Sequence, residues 1–298
     1  MARITRRSLL GVAATAALVR SATAQAALPA PVGYQTMDNT SVQLRPFVGR
    51  NMALLIDPAR RVDAAVADRI LAGFDRAWDW YRDYFGRSPT AGKSHAGKTT
   101  VAEVASPRVV DGSGGIELAS STVDLLLKEA AHDRYNQATF FMMGRNFWAY
   151  DAPLAQIGAF RHGFAHVHRF YAIDGAGVTG APWDDNLDFD HYRHSIVVDM
   201  LHRYLADRTL TWQNTLAADK APSNPNGWGA GELAASFFHR IRRDHGQDGY
   251  RRFWRLIQDA PKAETPKESA ARFVQVARAT TGEDYRGLFK DPSLQLVF

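Results

Sequence analysis

Cysteine is absent from all 298 residues. That one absence excludes disulfide frameworks, thiolate zinc sites, iron–sulfur clusters and cysteine nucleophiles together, leaving His, Asp, Glu or backbone oxygen to hold any metal. Glutamate is scarce as well, with only residues 103, 117, 129, 232, 264, 268 and 283 available as Glu donors or bases. No Gly-x-Ser-x-Gly elbow occurs, so a serine hydrolase of the α/β type has no local support. Long apolar runs are missing too: no segment after the N-terminus approaches the roughly 20 apolar residues a bilayer crossing takes, so no transmembrane segment is expected in the mature chain. What is present is 46% hydrophobic and 22% charged, enough apolar material for one large core or two modest domains and too much for a disordered chain.

Residues 1 to 26 carry the three parts of a secretory signal. Arg3, Arg6 and Arg7 make a basic start, Ser8 to Val19 a short apolar middle, and Ala24-Gln25-Ala26 a small-residue cleavage site. The pair Arg6-Arg7 followed by Ser-Leu-Leu reads as a twin-arginine signal, and a middle rich in Ala, Gly and Thr with Arg20 behind it fits that route better than the general secretory one. The middle is too short for a retained anchor. The expectation is a cleaved leader and export, to the periplasm or beyond, of a protein that crosses already folded. The formal charge of +5 divides accordingly, because taking the leader's four arginines from the 36 basic residues leaves 32 against 31 acidic ones. Nucleic-acid binding thereby loses its general support, although Arg240, Arg242, Arg243, Arg251, Arg252 and Arg255 remain a local basic run.

Periodicity divides the mature chain at about residue 121. Before it, Ser41 to Arg45 alternates like an edge strand, Asn51 to Ile56 reads as a buried strand, and Thr99 to Ala105 and Gly115 to Ala119 read as strands flanking the glycine turn Asp111-Gly-Ser-Gly-Gly115. One helix interrupts them, with Val66, Ile70, Phe74, Trp78, Tyr81 and Phe85 at spacings of three and four, ended by Gly86 and Pro89. After it come helices at residues 122–132, 137–150, 154–173, 190–205, 232–245, 250–257 and 266–279. Gly246 closes the fifth, and Thr265-Pro-Lys-Glu268 supplies the last with a capping box and a first-turn proline. A sheet first and helices afterwards predicts an α+β fold, with an α+β sub-domain over 27–150 and a helical one over 151–298.

Several local patterns resemble functional motifs. Gly92-Lys-Ser-His-Ala-Gly97-Lys98-Thr99 matches a phosphate loop literally, but with the helix before it and the strand after it, the reverse of what cradling a phosphate needs, so it reads as a solvated loop. Asp184-Asp185-Asn186-Leu-Asp188-Phe-Asp190 matches the first positions of a calcium loop and then fails at Phe189 and Ser195. This leaves a looser oxygen site for calcium or an acidic loop capping the next helix. Six of the ten histidines fall between 162 and 202. His162 and His166 sit one helical turn apart on one face, a divalent-metal geometry, with His191 and an Asp such as Asp185 as candidates for a third ligand. The alternative is that they pack without function. Glu103 and Glu117, on the strands near the glycine turn, face either a cleft or water.

At Phe140-Phe-Met-Met-Gly144-Arg145-Asn146-Phe147-Trp148 the chain resembles the zinc helix of secreted zincin-like, gluzincin-type metallopeptidases, where His-Glu-x-Gly-His is followed by Asn and aromatics. It is closer still to exported bacterial relatives that include Svx-type virulence factors. Phe47-Val-Gly-Arg-Asn51, Gly163-Phe164-Ala165 and Gly282-Glu-Asp-Tyr-Arg-Gly-Leu288-Phe289 extend the resemblance over much of the mature chain. The resemblance implies a zincin-like fold and places the zinc motif on Phe141, Met142, Met143, Gly144 and Arg145. Phe141 then replaces the first histidine ligand, Met142 the glutamate base and Arg145 the second histidine, with Gly144 and Asn146 kept. A phenyl ring cannot ligate zinc, a thioether cannot activate water, and a guanidinium puts a positive charge where a cation would sit. The family's third ligand lies on the following helix, where this chain has His162 and His166.

Three functions remain open at this point. The first is a non-catalytic exported protein on a zincin-like scaffold, binding a peptide, glycan or envelope component. The second is a hydrolase dependent on one divalent metal, zinc or calcium, with His162 and His166 as ligands. The third is an envelope or glycan interaction protein using Trp183, Trp212 and Trp228, of which Trp228 in its glycine-rich loop is also a candidate cleft residue.

Overall fold

A computed structural model describes residues 28–89, 92–105, 110–112, 114–184 and 186–294. The leader expected at residues 1 to 26 lies outside them. Strands β1 (Val32–Gln35), β2 (Ser41–Val48) and β3 (Met52–Ile56) lead into helix α1 (Ala64–Phe85). Strands β4 (Ser94–His95), β5 (Lys98–Val104), β6 (Val110–Gly112) and β7 (Gly115–Ala119) complete one sheet in the order β1-β2-β3-β5-β7-β6, with β4 on β5. The central pairs β3–β5 and β5–β7 are parallel, and β1–β2, β2–β3 and β6–β7 are antiparallel. All five residues of β3 are buried because both faces of the sheet are covered. Leu54, Val101 and Ile116 share one register row and join the main core with α1, whereas Ala53, Leu55 and Ala102 pack with Tyr34 and Leu44 on the other face.

Three sequence expectations change here. β2 is longer than expected and interior, because β1 extends the sheet beyond it. The glycine turn joins β6 to β7, while β5 and β7 lie side by side in parallel. The phosphate-loop match folds as the β4–β5 hairpin, turning at Ala96 and Gly97 with φ of 49° and 73°, so no helix N-terminus is there to meet a phosphate.

The helical half comprises α2 (Ser120–Ala130), α3 (Ala138–Phe147), α4 (Asp151–Leu154), α5 (Gly158–Gly175), α6 (Phe189–His194), α7 (Met200–Ala206), α8 (Ala230–Gln258), α9 (Pro266–Thr281) and α10 (Arg286–Phe289). The short strands β8 (Arg134–Tyr135) and β9 (Thr179–Gly180) pair in parallel between them. The helix expected at 190–205 is divided by a π-helical turn at Ser195–Asp199. The two helices expected at 232–245 and 250–257 form one element, α8, broken by Gly246 at φ 69°. Thr265 caps α9 by accepting the Glu268 N–H, with Pro266 in the first turn. With 53% helix and 14% strand among the described residues, and the large sheet confined to the N-terminal half, the protein is α+β. One hydrophobic cluster runs from Phe47 to Leu294, so buried side chains from both sides of residue 150 belong to the same core. No described helix is long and apolar enough to cross a membrane.

Candidate binding cleft

Helix α3 carries the Phe140–Trp148 segment, and its two faces do different work. Phe140, Met143, Gly144 and Phe147 point inward and are fully or almost fully buried. Phe147 stacks on Tyr81 at 4.9 Å and meets Trp78 edge-on at 5.0 Å, while Trp148 turns into the core against Phe164 at 5.4 Å. Asn146 donates from Nδ2 to the Gly115 carbonyl at 3.1 Å, tying α3 to the edge of β7. Gly144 is required by contact: a Cβ there would lie 2.9 Å from the Cα of Ala165 on α5 and 3.0 Å from the Tyr81 hydroxyl. Gly163 does the same for α5 and α8, where a Cβ would come within 2.5 Å of Ala234.

The outer face presents Phe141 and, one turn on, Arg145, beside the nearly buried Met142. The Phe141 ring lies 4.7 Å from the imidazole of His166 on α5. Arg169, one turn beyond His166, is 4% exposed, with its guanidinium 5.6 Å from the Phe141 ring, 4.7 Å from Phe170 and 4.8 Å from Tyr192. It donates to the Tyr192 hydroxyl, and its Nε is buried without a partner. Among the described residues no carboxylate lies within ion-pair distance of it.

His166 has Nε2 3.3 Å from Oε1 of Glu232, whose other oxygen accepts the Gly229 N–H at 3.0 Å and so caps α8. Burial holds the His166 imidazole well below its ordinary pKa, and the positive charges of Arg169, His162 and Arg145 act in the same direction. It is neutral at pH 7, and its Nδ1 is buried without a partner. His162 and His166 both approach Gly231, where a Cβ would lie 2.8 Å from His162 Cβ and 3.3 Å from the His166 ring. The expected pair therefore does share a face of α5, turned to the first turn of α8.

Of the remaining expected ligands, His191 does not join them. His191 is exposed and bonded to Asp188 at 2.7 Å, and this bond raises its pKa. Asp188 also caps α6 through the His191 N–H, so the acidic segment serves as a helix cap. Asp185 lies outside the described residues. Among the described residues no three His, Asp or Glu side chains converge as a metal site. Glu103 and Glu117 are not cleft residues either. Glu103 is buried against the Arg60 guanidinium at 2.8 Å and the Asp57 N–H at 3.1 Å. Glu117, on the opposite face of the sheet by strand alternation, accepts the Met37 N–H at 2.7 Å and the Tyr34 hydroxyl at 3.1 Å.

Beside Phe141 a pocket of about 400 Å³ opens between α2, α3 and α5. Leu125, Ala138, Phe141, Met142, Pro182 and Trp183 give it apolar walls, Gln137 and Arg169 are its buried polar groups, and the half-buried His166 stands beside them. Among the described residues no Asp or Glu lines it. At its rim Trp183 is 51% exposed and stacks on Tyr192 at 4.7 Å. Trp228 does not line the pocket; it braces Trp183 edge-on at 5.7 Å and donates to the Ser195 hydroxyl at 3.0 Å. Trp212 is not a surface residue, being 3% exposed and bonded to Asp291.

Sequence reasoning missed Arg169, Gln137 and Glu232. Arg169 follows His166 at helical spacing and was findable as a same-face neighbour, whereas Glu232 arrives from α8 with no local pattern to announce it. No protein-family model matches the chain, and no curated protein matches it.

Proposed function

We propose that this chain is an exported, non-catalytic binding protein, built on a scaffold resembling that of the zincin-like metallopeptidases, whose cleft takes an apolar group of a peptide or envelope component. The observation that carries the reading is the outer face of α3. Where the resemblance puts two histidines and a glutamate, the chain presents Phe141, Arg145 and Met142, and two of these side chains wall an apolar pocket of about 400 Å³. A pocket of that size with few polar groups is of the kind that holds small ligands or ligand side chains. Trp183 at the rim adds an aromatic surface on which an apolar group can lie.

The test combines metal, hydrolysis and binding. Protein folded in the cytoplasm is expected to hold less than stoichiometric metal, to leave casein unhydrolysed, and to raise the fluorescence of the neutral dye Nile red, an effect lost in Ala138→Trp, which fills the pocket. Stoichiometric zinc, manganese or iron that disappears in a His162→Ala/His166→Ala variant would overturn the reading in favour of a metal-dependent hydrolase. Export rests on residues 1 to 26 and is tested separately. Arg6→Lys/Arg7→Lys keeps the charge, and is expected to retain the unprocessed chain in the cytoplasm upon fractionation if the route is twin-arginine.

A further inference from the structure

Resting on that reading of the pocket, we propose that its ligand is an apolar organic acid bearing a hydrogen-bond donor close to its carboxylate, with Arg169 as the carboxylate-binding group and Gln137 as the acceptor for the donor. An arginine side chain is always charged, and one buried without a counter-ion is costly unless something anionic reaches it. Arg169 has three aromatic rings and the Tyr192 hydroxyl around it, but among the described residues no carboxylate, and its Nε is unpartnered. The rings surround the guanidinium without neutralising it, and the unpartnered Nε leaves a donor for an anionic acceptor such as a carboxylate.

The rest of the pocket has the same polarity. Among the described residues none that lines it is acidic; the nearest carboxylate described is Glu232, behind the neutral His166 at 3.3 Å and occupied in capping α8. Gln137 supplies the second requirement. It is 4% exposed, its Nε2 donates to the Ala181 carbonyl at 2.9 Å, and this bond fixes the amide so that Oε1 is the atom left buried and unpartnered. An N–H or O–H beside the ligand carboxylate would satisfy it, and the walls from Leu125 to Trp183 would cover the apolar body. An N-acylated apolar amino acid has all three parts. The same chemistry is found in a free N-acyl amino acid and at the carboxyl end of a peptide.

Calorimetry with N-acetylphenylalanine, its neutral amide N-acetylphenylalaninamide, and 3-phenylpropionate tests each part. The acid is expected to bind at least about tenfold more tightly than the amide and several-fold more tightly than 3-phenylpropionate, which lacks the donor. Arg169→Gln should abolish the preference for acid over amide. Should that variant fail to fold, Leu125→Glu, at an exposed rim position, keeps Arg169 and brings a tethered carboxylate to the pocket; it is expected to weaken the acid about tenfold and the amide little. A hexapeptide ending in Phe, with a free or an amidated carboxyl end, separates the two sources: discrimination between them equal to that seen with the small acid places the ligand at a peptide terminus, and no binding by the hexapeptide leaves the free acid. Equal affinity for acid and amide in the unmodified protein overturns the role of Arg169. Nile red binding with neither small probe bound overturns the inference and leaves the pocket reading standing, whereas no binding by any of them overturns both.

Discussion

Asp75 belongs to α1 but serves the turn between β2 and β3. Its two oxygens accept the N–H groups of Arg50, Asn51 and Met52 at 2.6, 2.8 and 3.0 Å, and the side chain is 7% exposed. Removing it takes the acceptor from three backbone donors, of which the Met52 N–H is buried, so Asp75→Ala is expected to destabilise the fold by about 3 kcal/mol. Urea unfolding of the two proteins checks this; a difference under about 1 kcal/mol would mean that the turn holds its geometry alone. The strand from Asn51 to Ile56 was legible, but nothing in the spacing of α1 singled out Asp75 as the acceptor for the turn before it. Glu103 and Glu117 failed in the same way. Alternation placed them on strands correctly, yet what consumes each carboxylate is a partner distant in the chain, and linear spacing carries no record of it.

At the scale of elements, most helices and strands were readable because apolar spacing and caps are local, as in α1 with Gly86 at φ 70° and α9 with its Thr265 cap. Which faces meet was readable only in part. His162 and His166 were correctly placed on one face, and the resemblance aligned Phe141 and Arg145 with two histidines of a zinc motif, but the meeting of α3 with α5 depends on Gly144 touching Ala165, a contact that only the folded chain contains. That meeting makes a reversal experiment possible. Phe141→His/Met142→Glu/Arg145→His puts two imidazoles at i and i+4 on α3, opposite His166, whose ring now touches Phe141 at 4.7 Å and whose Nε2 is 3.3 Å from Glu232. The triple variant is expected to bind one equivalent of zinc by dialysis and elemental analysis, with the unmodified protein binding less. Failure of the variant to take up zinc, in a chain with unchanged circular dichroism, would count against α3 occupying the position of the zincin-like helix.

Over the whole molecule, the α+β order was legible from strands giving way to helices near residue 121. The continuity of one core across residue 150 was not, since burial depends on packing between distant segments. That core also encloses titratable groups whose behaviour sets a pH limit. His166 and His168 are held well below the ordinary histidine pKa by burial, and His239 is lowered to about 4 by burial and by Arg242 and Arg243. His168 has its Nδ1 2.8 Å from the Phe164 carbonyl and stacks on Tyr250, an arrangement that suits the neutral ring with Nδ1–H donating. Above about pH 6.5 both folded and unfolded chains carry these three rings neutral, and they add no pH dependence. Below it the unfolded chain takes up protons that the folded chain refuses, so stability must fall as pH falls, by about 1.4 kcal/mol per pH unit for each ring until its folded pKa is reached. The exposed His191, raised by Asp188, acts in the opposite direction, but its full exposure makes that contribution small. Urea unfolding at constant ionic strength between pH 7.5 and 5.5 is therefore expected to show a flat region followed by a decline of up to three protons, and His168→Phe should remove one proton from the slope. A flat profile down to pH 5.5 would mean that these imidazoles accept protons inside the fold, and with them that the cleft beside His166 admits charge of the sign that Arg169 is expected to exclude.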